Sequence, residues 1–156
     1  MATVQSTYSE NIAAAVAGMP ADADYHADTR VCETAAGIGF GLAVGQGTSA
    51  KEGKLDAAAD TDFVGVTIRD KTLVNDSEDL YEQYENMAVM TRGDIWVTTG
   101  ASVSAGDDVT YVKSTGVLSS AAASGTQFAI TGARWMTTAG SGALAILRLG
   151  GALPSA

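Results

Sequence analysis

The chain has 156 residues, 46% of them hydrophobic and 17% charged, with nine basic against eighteen acidic residues and a net charge of −9. That composition suits one globular domain and argues against a nucleic-acid binder, whose phosphate contacts depend on Lys and Arg. The single cysteine, Cys32, excludes an internal disulfide framework, and no apolar run approaches the ~18 residues of a membrane span. The opening residues lack the basic-then-apolar pattern of a signal peptide, so synthesis and assembly in a cytoplasm are expected. Ala, Gly, Ser and Thr dominate, which limits the apolar area available for burial and predicts a modest core supplemented by contacts with other chains.

Residues 1–28 read as an N-terminal arm. Within SENIAAAVAGMP, Ser9 can cap a short alanine-rich helix that Gly18 and Pro20 would end. The alternative is an extended segment ordered by lying on a neighbour, with ADADYHADTR as its polar lead into the body. From Thr29 onward the signals are those of strands, and residues 29–156 are read as a single β domain. In GIGFGLAVGQG, residues 37–47, Ile38, Phe40, Leu42 and Val44 alternate with glycine or alanine, the period-2 pattern of a strand with one apolar face. The dinucleotide fingerprint fails there, because Val44 occupies the place of its third glycine and no amphipathic helix follows. Glycines so placed predict a bulge, a sharp barrel bend or the close approach of another backbone.

Further along, Val64, Val66 and Ile68 share one face of a strand, and Asn75 or Asp76 can cap a helical turn before Leu80. Residues 87–91 and 95–99 form two alternating runs, read as hairpin partners joined by Arg92-Gly93-Asp94. A Gly-Asp turn, a strand at 109–113, a Ser-Thr-Gly turn, and strands at 128–133 and 144–149 complete the series. The predicted fold is all-β: a compact β-barrel or sandwich of short antiparallel strands, with an N-terminal arm and at most one or two short helices.

Little in the sequence nominates chemistry. Asp22, Asp24, His26 and Asp28 recur at every second position, yet an exposed acidic linker shows the same spacing, so no metal and no cofactor are expected. His26 and Cys32 lack an orienting third group, and no G-x-S-x-G elbow occurs, so no catalytic residue is assigned and no enzyme is expected. The Arg-Gly-Asp tripeptide leaves one alternative, a surface or secreted adhesion module presenting an RGD turn.

Three stretches carry a family resemblance: the opening MATVQSTYSENIAAAVAGMPAD, then RVCETAAGIGFGLAVGQG, and MTRGDIWVTTGASVSAGDDVTYV. In them the chain resembles the structural cement, or head-decoration, proteins of tailed bacteriophages. The resemblance implies a small acidic β protein on the outer surface of the virion head. There it would bind the major capsid protein as a homotrimer and stabilise the expanded shell by bridging neighbouring subunits, with no nucleic-acid or membrane partner. On that reading Tyr8, Ile12, Val16, Met19 and Tyr25 are candidate capsid or protomer contacts in the arm. Trp96, on the face opposite Ile95 and Val97, is either a candidate interface anchor, because Trp is enriched in binding hot spots, or part of a second apolar layer inside a sandwich.

Overall fold

A computed structural model of the chain describes residues 15–55, 63–73 and 79–150. Among these residues the fold is all-β, with strands β1 (His26–Cys32), β2 (Ile38–Gly39), β3 (Ala43–Gln46), β4 (Glu52–Lys54), β5 (Phe63–Thr67), β6 (Leu80–Tyr81), β7 (Asn86–Thr98), β8 (Asp108–Val112), β9 (Leu118–Ser119), β10 (Gln127–Trp135) and β11 (Leu144–Leu149). The helical turn expected at Asn75 or Asp76, and most of the alanine-rich segment after Ser9, lie outside the described residues.

Nine strands form one sheet in the order β1-β4-β3-β5-β7-β11-β10-β8-β9, and β1 also pairs with β7. That second pairing closes β1, β4, β3, β5 and the first half of β7 into a barrel. Closure removes the open edges that would otherwise template aggregation. The other half of β7 pairs with β11, and the sheet continues through β10 and β8 to β9. There a parallel bridge between Thr99 and Leu118 brings β9 back beside the end of β7.

Strand β7 decides this architecture, and it corrects the sequence reading. Residues 87–91 and 95–99 are not hairpin partners. Asn86–Thr98 is a single 13-residue strand, with Arg92-Gly93-Asp94 at its middle. The alternation changes phase across that tripeptide: Met87 and Val89 enter one core, while Met90, Ile95 and Val97 enter the other. A phase change inside a continuous strand requires an irregular backbone, and Gly93 supplies it at φ 123°. A turn-like tripeptide between two alternating runs therefore served to re-aim side chains without reversing the chain.

A second irregularity lies in β5. Val44 pairs with Gly65 while Gly45 pairs with Phe63, so Val64 is the extra residue of a bulge. Val64 packs against one core and Val66 and Ile68 belong to the other, although all three had been expected on one face. The glycine-rich run also divides: β2 and β3 are separated by a turn at Phe40–Gly41.

The smaller core, Cys32, Ile38, Val44, Tyr81, Met87 and Val89, belongs to the barrel strands and the β2–β6 hairpin that packs on them. The larger one lies between the barrel wall and the extra strands, where Ala43, Val66 and Met90 meet Ile95, Val97, Val109, Tyr111, Trp135, Leu147 and Leu149. Trp135 is its largest fully buried side chain, and its indole Nε1 donates to the Ser119 carbonyl at 3.3 Å. Burying an indole with its N–H satisfied contributes a few kcal/mol, as removing such a side chain shows (about 3–5 kcal/mol).

Candidate functional site

The residues before β1 are built into the fold. The Gly18 N–H donates to the Trp96 carbonyl at 2.8 Å, the Trp96 N–H to the Met19 carbonyl at 2.9 Å, and the Ala21 N–H to the Asp94 carbonyl at 2.8 Å. Residues 18–21 thus lie as an antiparallel strap along the edge of β7 that β11 leaves free, with Pro20 opposite Ile95. Proline suits such an edge because it has no N–H to leave unpaired. Gly18 also accepts from the Arg69 N–H at 2.8 Å, which ties the strap to the end of the barrel. A Cβ on Gly18 would meet the Arg69 nitrogen at 2.8 Å, and one on Gly41 would meet the Gly18 nitrogen at 2.8 Å. The close backbone approach expected of the 37–47 glycines is made here, by the strap.

Of the arm residues singled out from sequence, Val16 is 41% exposed, Tyr25 is 43% exposed and Met19 is half-buried. Tyr8 and Ile12 lie outside the described residues. Trp96 is half-buried, on the face of β7 opposite the fully buried Ile95 and Val97. Directly across from it on β11 is half-buried Ile146, whose carbonyl accepts from the Met136 N–H. Met136 itself is 38% exposed. Because Trp135 and Leu147 are paired and point inward, Met136 and Ile146 stand outward beside Trp96. The outer face therefore carries a partly exposed apolar row from β7 across β11 to the residue that follows β10, and only its tryptophan was legible beforehand.

Next to that row the surface becomes strongly charged. A depression of about 450 Å³ is lined by Asp22, Asp24, Arg92, Asp94 and Arg148, together with Gly93, Leu149 and Gly150. Asp94 and Arg148 are cross-strand partners: Nε donates to Oδ1 and Nη2 to Oδ2, each at 2.7 Å. This two-pronged pairing raises the Arg148 pKa further above its ordinary value, chiefly through the hydrogen bonds to Asp94. Arg92 lies 3.9 Å from Asp24, with both side chains largely exposed. The tripeptide Arg92-Gly93-Asp94 is accordingly mid-strand, with its carboxylate engaged and the backbone of Tyr25 passing over its glycine. That geometry is unlike the loop tip on which the adhesion alternative depended.

The acidic series at 22–28 does not converge. Asp24 faces Arg92, and Asp28 lies 4.0 Å from Arg30. No group of three or more His, Cys, Asp or Glu among the described residues is placed to hold a metal ion. Cys32 is fully buried, and desolvation pushes its thiol pKa up. That makes it a poor nucleophile, since reactivity requires the thiolate.

Comparison with known proteins supplies a family and a fold for this chain. A family model described as "Structural cement protein (E217 gp24/Pam3 gp6)" matches residues 4–150. Among solved structures, a chain from "The capsid of Myoviridae Phage XM1" aligns with a TM-score of 0.76 at 18% identity, covering 96% of this chain and 98% of that one. At that identity the likeness establishes the fold. No match is found among curated proteins. With the family model spanning nearly the whole sequence, the chain belongs to the structural cement protein family of phages, whose role is structural and capsid-stabilising.

Proposed function

We propose that this protein binds the outer surface of the expanded phage head and stabilises it by bridging neighbouring major capsid protein subunits, acting as a homotrimer. The observation that carries the reading is the family match over residues 4–150. The surface supports it, with exposed Val16 before the strap and Tyr25 after it, and the outward row containing Trp96. These residues, with Tyr8, Ile12 and Met19 of the arm, are the contacts offered to the capsid or to a neighbouring protomer.

The mechanism is linkage. A ligand that binds only the expanded lattice stabilises that lattice by its own binding free energy, and the effect grows with occupancy. Three copies of each contact in a trimer give avidity without any single contact being strong. The net charge of −9 keeps the coat soluble and disfavours adsorption of DNA.

The test is co-sedimentation with undecorated, expanded heads, alongside light scattering of the free protein and the rupture temperature of the heads. Binding with a raised rupture temperature is the expected result, and a protein that stays in the supernatant refutes the proposal. Truncation should stop before Ala15, which is buried, because removing residues 15–21 would strip the strap from β7 and confound lost contacts with lost folding. A variant lacking residues 1–14 that decorates heads to wild-type occupancy would show that Tyr8 and Ile12 are not contacts.

A further inference from the structure

Among the described residues one side chain other than glycine holds a left-handed backbone conformation, Tyr84 at φ 70°. Sterics make that conformation uncommon for any residue with a Cβ, and Asn or Asp adopts it far more readily than a bulky aromatic. Tyr84 sits in the turn between β6 and β7, and the turn is firmly held. Its own N–H donates to the Cys32 carbonyl at 2.7 Å, the Glu82 N–H donates to the Glu85 carboxylate at 2.7 Å, and the Gln83 amide donates to the Glu33 carbonyl at 3.2 Å. The ring is nevertheless 74% exposed, more than any other large apolar side chain described.

Strain is retained at a position when something outside the local backbone uses it. Among the described residues the ring buries little of its surface, and a glycine would serve the turn with less conformational cost. Folding of the single chain therefore does not account for the tyrosine. A rigidly presented aromatic ring is, by contrast, an efficient interface anchor, because it brings large contact area and little rotamer entropy to lose.

We infer that Tyr84 is an anchor that inserts into an apolar pocket with a cationic rim on the capsid surface. The charge around the ring selects that partner over the others. Glu82 and Glu85 flank it within a chain of net charge −9, so a second copy of this turn and a nucleic acid are both repelled. A Lys- or Arg-rimmed pocket on a capsid subunit is complementary. This inference rests on the capsid-binding reading proposed above.

The experiment compares full-length wild type, Tyr84→Gly and Tyr84→Asn for melting temperature and for binding to undecorated expanded heads. Both variants should melt at or above the wild-type temperature while binding at least tenfold more weakly, and wild-type binding should weaken at 0.5 M salt. A lower melting temperature in both variants would make the ring a packing element and overturn the inference. So would unchanged head binding, and salt-insensitive wild-type binding would remove the cationic rim. If the wild type itself fails to bind, the capsid reading falls and takes this anchor with it; if the wild type binds and the variants bind equally, this inference alone is lost.

Discussion

Replacing Gly93 by alanine probes the phase change in β7 directly. The glycine holds φ 123°, and an added Cβ would meet Tyr25 Cβ at 2.6 Å, Tyr25 Cα at 2.9 Å and the Asp24 carbonyl oxygen at 3.2 Å. Two costs follow. The backbone region itself costs a residue with a Cβ about 1–3 kcal/mol. Overpacking against a backbone that cannot rotate away costs about 1–3 kcal/mol more. Taking ~3 kcal/mol as a conservative sum, and about 2–4 °C per kcal/mol for a chain of this size, the melting temperature should fall by roughly 6–12 °C. Gly106→Ala is the control. Gly106 holds φ 95°, but an added Cβ meets nothing within 4 Å, so only the conformational cost of about 1–3 kcal/mol applies. Circular dichroism melts and urea titrations of the three proteins would measure both costs. If Gly93→Ala melts within ~2 °C of Gly106→Ala, the contact with Tyr25 does not resist substitution.

Other perturbations test other parts of the molecule. Asp94→Asn removes the two-pronged pair with Arg148; because the Arg148 side chain is about half exposed, the loss should be only about 0.5–1 kcal/mol at low salt and should shrink in 1 M NaCl, and no loss at low salt would show that the pair adds no stability. Tyr81→Phe removes a hydroxyl that donates to the Ile68 carbonyl at 2.6 Å inside the core, while its ring can keep the edge contact with Phe40. A loss of about 1–2 kcal/mol in urea unfolding is expected, and an unchanged midpoint would contradict that bond's contribution. Burial raises the pKa of both Cys32 and Tyr81. A raised folded-state value means stability is full below the unfolded values, about 8.5 for the thiol and about 10 for the phenol, and is lost as pH rises through the folded ones. The urea midpoint should thus hold between pH 7 and 8 and fall progressively above that; a midpoint flat to pH 10.5 would oppose the assignment.

The sequence pattern reached some elements and missed others for identifiable reasons. The strands near 63–67, 108–112, 127–135 and 144–149 were legible because apolar residues alternate there between turns of unambiguous chemistry. Strand β1 was obscured by its own exposure. His26, Ala27 and Thr29 face solvent, so the polar stretch HADTRVC carries no apolar face, and its place is set by pairing with β7 some sixty residues away. The bulge at Val64 and the phase change at Gly93 were hidden for a related reason: each looks like uninterrupted alternation or a turn until a partner strand fixes the register. At the candidate interface, Trp96 was found by its type and its place in the alternation. Met136 and Ile146 became its neighbours only through the register of β10 and β11. Tyr84 had no compositional signal at all, because what distinguishes it is a backbone angle.

Strand β7 has a mechanical consequence as well. Its 13 residues run as one backbone from the closed barrel into the outer strands, a span of roughly 40 Å at about 3.3 Å per residue. No linker intervenes along that span, and the strap bonds both to β7 and to the end of the barrel. Tension applied at one end of the molecule is therefore carried to the other along a hydrogen-bonded ribbon, with no hinge to take up slack. In the bridging role proposed above, such a ribbon would resist separation of its two ends from the first small displacement, without having to be drawn taut.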